Sequence, residues 1–329
     1  MKDNGLLVQY FNANTPADQT LWAKAAKDAA TLKKLGATAV WFPPATKGAA
    51  GKDDRGYAPY DLYDLGEFNQ KGSVGTRYGT KKEYLEAIDA MKAQGINVYA
   101  DIAVRQKLGA DSVEKITAAD FNAKDIPQMI GNKKIVGALS KFTFPGRKSK
   151  YSKFKWNWNH FAGIDWQQDD FKRRVCELSG MTETEAEKKY KLSKYDYIIG
   201  SELDLYNQEV YDELMAWAKW YEDVTGVDGF RFQEAEKIPG WFIRDFAEAA
   251  SNAGEEEKEI FTVGDFWHWR CDYINDYIAS ADNQPSMFDV PLHFSFHDAS
   301  VAEGEYDLSR LLDGSMMMSN PAKAVTSVS

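Results

Sequence analysis

Strand-length apolar runs alternate with amphipathic segments of helical period along most of this chain, the signature of βαβ units laid into a parallel sheet. Strands are expected near residues 6–11, 39–44, 97–104, 229–235, 260–266, 287–294 and 324–328. Helices are expected at Asp18–Leu35, Lys81–Gln94, Glu209–Val224, Trp241–Ala253, Asp272–Ala281 and Leu308–Leu312, several with heptad-like apolar spacing. The alternation breaks once. From about 105 to 207 the chain is rich in aromatics and Lys, and it reads as a unit inserted after the third strand. Within it the basic stretch 132–155 reads as the solvated face of a hairpin.

A chain of 329 residues, 44% hydrophobic and 14% aromatic, has enough apolar surface for a large core. It has no run of about 18 apolar residues, so no membrane-spanning helix is expected. A first strand entered by Leu6 leaves no room for a signal peptide, which makes the cytoplasm the default compartment unless a leader has been removed. The formal charge of −10 argues against nucleic acid as a partner and favours solubility. Cys176 and Cys271 show no metal spacing, and two buried free thiols suit a reducing compartment better than a disulfide does. Of His160, His268, His293 and His297, the last two stand four apart, but in a segment expected to be strand and loop; a structural role is expected for all four.

Long segments carry a resemblance. They are Leu6-Leu7-Val8-Gln9-Tyr10-Phe11, Ala39-Val40-Trp41-Phe42-Pro43-Pro44, Gly56-Tyr57 and Tyr60 through Phe68, Phe144-Pro145-Gly146-Arg147, Trp156 through Phe161, Gly229-Phe230-Arg231-Phe232-Gln233-Glu234-Ala235, and Phe288 through His293. Together they resemble the α-amylase family, glycoside hydrolase family 13, and within it the cytoplasmic, liquefying type. The resemblance implies an α/β chain folded as an incomplete (β/α)8 TIM barrel of about seven strands. The barrel domain would comprise 1–104 and 208–329, with an inserted domain B at 105–207; the eighth βα unit and the C-terminal β-sandwich of the family would be absent. An open barrel exposes strand edges, so either the chain is a fragment, or self-association or a protein partner covers the gap.

The resemblance also maps the site, since barrel enzymes carry theirs at the C-terminal strand ends. The family's nucleophilic Asp on the fourth strand aligns with Gln233, which cannot attack a sugar. Its general-acid Glu aligns with Asp265, one methylene shorter, and its third carboxylate with Ser329. Glu234 is adjacent to Gln233, but neighbouring strand residues point to opposite faces. Tyr57, Tyr60, Arg231, Asp265 and Trp267 are the candidate sugar contacts, and Arg231 is free to pair with Asp101 or Asp265. At the family's calcium site stand Arg105, Asp196, Glu202 and Lys237. Cations have entered a cation site, so no calcium or other cofactor is expected, with Arg105 and Lys237 paired to Asp196 and Glu202. The expectation from these substitutions is a catalytically degenerate pseudoenzyme acting through interaction or assembly. The alternatives are a non-catalytic α-glucan-binding protein and an atypical α-1,4-glucan hydrolase.

Overall fold

The computed structural model describes residues 5–121, 129–169, 172–178, 199–254 and 258–326. Seven short strands form one parallel sheet: β1 (Leu7–Gln9), β2 (Ala39–Phe42), β3 (Asn97–Ile102), β4 (Gly229–Phe232), β5 (Phe261–Gly264), β6 (Ser286–Phe288) and β7 (Ala324–Val325). They follow one another in sequence order from β1 to β7, the winding of a (β/α) barrel. The central strands are buried on both faces, which is why they read as near-continuous apolar runs; all four residues of β4 are buried, whereas the edge strands β1 and β7 are only partly so. The register places Arg231 between Asp101 of β3 and Val263 of β5.

Helices cover the outer face where the amphipathic pattern requires them. α1 spans Leu21–Lys34, and α2 (Lys81–Ala93) opens on a capping box between Thr80 and Glu83. α3 (Gln208–Thr225) is capped by Asn207 and stopped by Gly226 at φ 63°. Its buried residues Val210, Leu214, Trp217, Ala218 and Tyr221 recur every three or four positions as one stripe. Trp217 is wholly buried, and its indole N–H donates to the Leu62 carbonyl at 2.9 Å. Emptying that site with alanine is expected to cost about 3–5 kcal/mol. α4 (Gly240–Ser251) and α5 (Cys271–Ser280) continue the ring. Among the described residues no helix is long and apolar enough to cross a membrane, and Cys176 and Cys271 are free and buried.

The interruption after β3 builds a second, antiparallel sheet. Its strands lie in the order Gln106–Lys107, Ser201–Leu203, Phe161–Gln167, Lys172–Glu177, Ser112–Phe121 and Met129–Lys141. Tyr60, Phe142, Phe144, Trp156 and Phe161 are buried beside it, in the same apolar core as the barrel residues. The barrel core therefore extends to the near side of the inserted sheet, while Ile116, Ala118, Val136, Ala138, Ile164 and Cys176 form a separate cluster within that sheet.

Three expectations need correction. The run 287–294 is strand only to Phe288. It then becomes α6 (Val290–Val301), because the Asp289 carboxylate accepts the Leu292 N–H and Pro291 sits in the first turn. His293 and His297 accordingly lie one helical turn apart, on a helix and not in a strand and loop. The helix expected at Leu308–Leu312 is a single 3-10 turn, Leu308–Arg310, and a short α7 follows at Met316–Ser319. The basic stretch 132–155 is not solvated throughout: Arg147 is 2% exposed, and its Nε donates to Asp61 at 2.8 Å.

Candidate active site

Three neighbouring strands deliver three charged groups to one place. Asp101 on β3 is 1% exposed, Arg231 on β4 is 8% exposed, and Asp265, directly after β5, is 8% exposed. Arg231 Nη1 donates to both Asp101 oxygens, at 3.1 and 3.2 Å, and Nη2 donates to Asp265 Oδ2. Its guanidinium carbon lies 4.7 Å from the centre of the Trp41 ring, a cation–π contact. The Tyr57 hydroxyl donates to Asp101 Oδ2 at 2.5 Å. Arg231 thus pairs with both candidate carboxylates.

The turn after β4 is tied to β5 from the backbone. Gly264 makes this approach feasible, since a Cβ there would stand 2.7 Å from that of Ala235. The Glu234 N–H donates to Asp265 Oδ1 at 2.6 Å, and the Ala235 N–H to the Asp265 carbonyl at 2.9 Å. Glu234 has φ 50° and ψ 52°, a left-handed conformation that costs a non-glycine residue on the order of 1 kcal/mol and marks stored strain. This kink breaks the strand alternation expected for Glu234. Its carboxylate meets Arg105 at 3.4 Å.

Burial sets the charge states. It pushes the Asp101 carboxyl up to about 6, although Arg231 and Tyr57 pull the other way. Burial likewise raises Asp265, against the pull of Arg231. Burial, reinforced by the neighbouring Asp265 and Glu234 charges, takes Glu236 up to about 7. Burial opposes the charge on Arg231, but Asp101 and Asp265 outweigh it and hold the guanidinium protonated. The result is one fixed cation among carboxyls of unequal acidity, a pattern characteristic of sites that move protons.

The remaining candidates separate. Gln233 follows β4 directly and is half-buried; its carboxamide cannot form a glycosyl ester. Tyr60 is 1% exposed, packs against Phe142 and Phe144, donates to Asp111, and has Lys71 Nζ over its ring at 3.9 Å. Its ring is enclosed within the protein. Trp267 is 57% exposed, with His293 and Phe294 at its edge, and Trp269, 68% exposed, stacks on His268. Lys237 ends the 3-10 turn Ala235–Lys237. Asp196 and Ser329 lie outside the described residues. Sequence reasoning missed Glu236 and Trp269. Nothing in the local pattern marks Glu236, whose carboxyl oxygen is buried only in the folded chain, whereas exposed aromatics in Trp267-His268-Trp269 were a signal open to notice.

No family model matches the chain. Curated relatives do match. The chain is 42% identical over 327 residues to an α-amylase of Geobacillus stearothermophilus, covering 99% of this chain and 59% of that protein. It is 35% identical over 329 residues to the cytoplasmic α-amylase of Escherichia coli K12, covering 99% of this chain and 66% of that protein. The chain therefore spans less than two thirds of either relative. Among solved structures, an Anoxybacillus α-amylase superposes with a TM-score of 0.58 at 16% identity, covering 97% of this chain and 57% of that one, which shows the shared fold. These findings correct the expectation of a pseudoenzyme: proteins 35% to 42% identical over nearly the whole chain are named α-amylases and point to an enzyme. On sequence and fold together, the chain belongs to the α-amylase family, glycoside hydrolase family 13.

Proposed function

We propose that the cleft at the ends of β3, β4 and β5 hydrolyses α-1,4-linked glucans by direct attack of water. The observation that carries this reading is the buried Asp101–Arg231–Asp265 cluster, joined to a strained Glu234. It supports a site built for charge, on a fold whose named relatives are α-amylases. Gln233 excludes a covalent intermediate at its own position, so the bond is broken in one displacement by a base and an acid.

Charge state divides the labour. Glu236, raised to about 7 by burial, retains its proton near neutrality and suits the general acid. The Glu234 carboxylate, ion-paired to Arg105 and partly open to solvent, suits the base that activates water. Asp265 has both oxygens engaged, by Arg231 and by the Glu234 N–H, and positions this turn. The base takes a proton from water as water attacks the anomeric carbon, the glycosidic bond breaks, and the acid's proton goes to the leaving oxygen. Trp267 offers an apolar face to a neighbouring sugar ring.

Direct displacement inverts the anomeric centre. Maltoheptaose digestion followed by proton NMR should show β-anomeric product first. Product appearing first as the α-anomer overturns the mechanism, and no reducing sugar above a no-protein control overturns the function.

A further inference from the structure

The α-amylase resemblance implies a calcium ion where the barrel meets the inserted sheet, and the residues at that junction do not fit one. Calcium takes six to eight oxygen ligands. Here a guanidinium stands in their midst. Arg105 leaves the barrel three residues after β3, is 4% exposed, and directs Nε toward Glu202 at 3.8 Å and Nη1 toward Glu234 at 3.4 Å. Glu202 belongs to the inserted sheet, in Ser201–Leu203, and Glu234 to the turn after β4. Among the described residues no three His, Cys, Asp or Glu side chains converge as a metal cluster.

We propose that the Arg105 guanidinium does the work of the divalent ion: it is a built-in cation that ties the inserted sheet to the active-site turn. The backbone supports the side chain, since the Arg105 carbonyl accepts the Leu203 N–H at 2.7 Å and Gln106 pairs with Glu202 across the antiparallel ladder. The positive charge enters with the chain and needs no loading. A fixed fork of donors also sets direction, which a spherical ion does not. The staple reaches the chemistry in two steps, from Arg105 to the Glu234 carboxylate and from the Glu234 N–H to Asp265. Arg105 is therefore a positioning residue. A metal-loaded relative would loosen this turn when stripped by chelator, and this chain would not.

The test is thermal unfolding of the whole protein in calcium chloride and in chelator. A ion that binds the native state must raise its melting temperature. The wild-type transition is expected to be the same in both buffers; a calcium-dependent rise of several degrees overturns the proposal. Arg105→Asn restores an oxygen donor and leaves Glu202 and Glu234 facing each other. It is expected to melt several degrees lower in chelator and to recover part of that loss in calcium, and a loss that calcium leaves untouched overturns the replacement. Should the variant not fold in either buffer, the wild-type comparison decides alone. This readout does not depend on turnover, so it stands or falls separately from the hydrolysis reading.

Discussion

The backbone N–H of Glu234 donates to Oδ1 of Asp265 at 2.6 Å, so a left-handed residue after one strand is latched to a carboxylate after the next. The same carboxylate neutralises Arg231 through its other oxygen. Two kinds of order depend on it, the shape of the turn and the charge balance of the site.

Asp265→Ala removes both. It leaves Asp101 as the remaining carboxylate of the Arg231 cluster and strips the turn of its acceptor. Breaking a buried pair of this kind is expected to cost about 3–5 kcal/mol. Asp265→Asn keeps an oxygen for the Glu234 N–H and is expected to lose less. Urea unfolding of the two variants checks the order; an alanine variant within the error of wild type refutes the latch.

The Glu236 carboxyl gives the fold a pH dependence. Burial holds it up to about 7 in the native state, whereas the unfolded chain releases this proton in the ordinary glutamate range. Its contribution is therefore complete below that range and is lost as pH rises toward 7. The difference amounts to on the order of 3 kcal/mol. Glu236→Gln cannot titrate and should flatten this part of the stability profile between pH 5 and pH 8. Unfolding curves for wild type and variant at both ends test it, and an unchanged slope counts against the assignment.

Lys107 carries the opposite sign. Its ammonium is buried with no hydrogen-bond partner among the described residues, surrounded by the rings of Phe142, Phe144 and Trp156 at 5.0 to 5.5 Å, and burial takes its pKa down to about 7. The unfolded chain stays protonated to far higher pH, so the native state gains stability as pH rises above 7. Lys107→Met fills the same space without an amine and is expected to stabilise by about 1–3 kcal/mol at pH 7. The gain should shrink by pH 9. Melting temperatures at the two values check both statements, and a less stable methionine variant at pH 7 contradicts them.

What the sequence conveyed best was whatever rests on period. All seven strands begin within a residue of their expected starts, since burial of the central ones on both faces writes a continuous apolar run. The same criterion failed at Val290–Val301, where apolar and polar residues do not segregate to opposite faces and the helix is announced by the Asp289 cap and by Pro291. Within the site, the Arg231 pairing with Asp101 and Asp265 was legible because each residue sits at a strand end. Glu234 was not, because the alternation rule assumes extended backbone and this residue is left-handed. Gln233 was read correctly as an amide, but the inference from it, together with Asp265, Ser329 and the altered calcium site, to an inactive chain went too far; the relatives correct it.

Asp289 is where that missed helix can be tested. It is 1% exposed, and its Oδ1 accepts the N–H of Leu292 at 3.1 Å and of Met316 at 3.0 Å, while Oδ2 accepts that of Met317 at 2.9 Å. One carboxylate thus caps α6 and holds the start of α7 against it, joining β6 to the segment that leads into β7. Leu292 and Met316 are themselves buried, so alanine at 289 leaves their N–H groups without water or protein to accept them. An unpaired buried donor costs about 1–3 kcal/mol and a lost cap about 1 kcal/mol, which puts Asp289→Ala at roughly 2–4 kcal/mol. Asp289→Asn retains one acceptor oxygen and should recover the Leu292 and Met316 bonds but not the Met317 one. Amide hydrogen exchange is the direct measurement: protection should fall together at Leu292, Met316 and Met317 in the alanine variant and at Met317 in the asparagine variant. If protection falls at α6 alone, the carboxylate is a helix cap and not the link between the two segments.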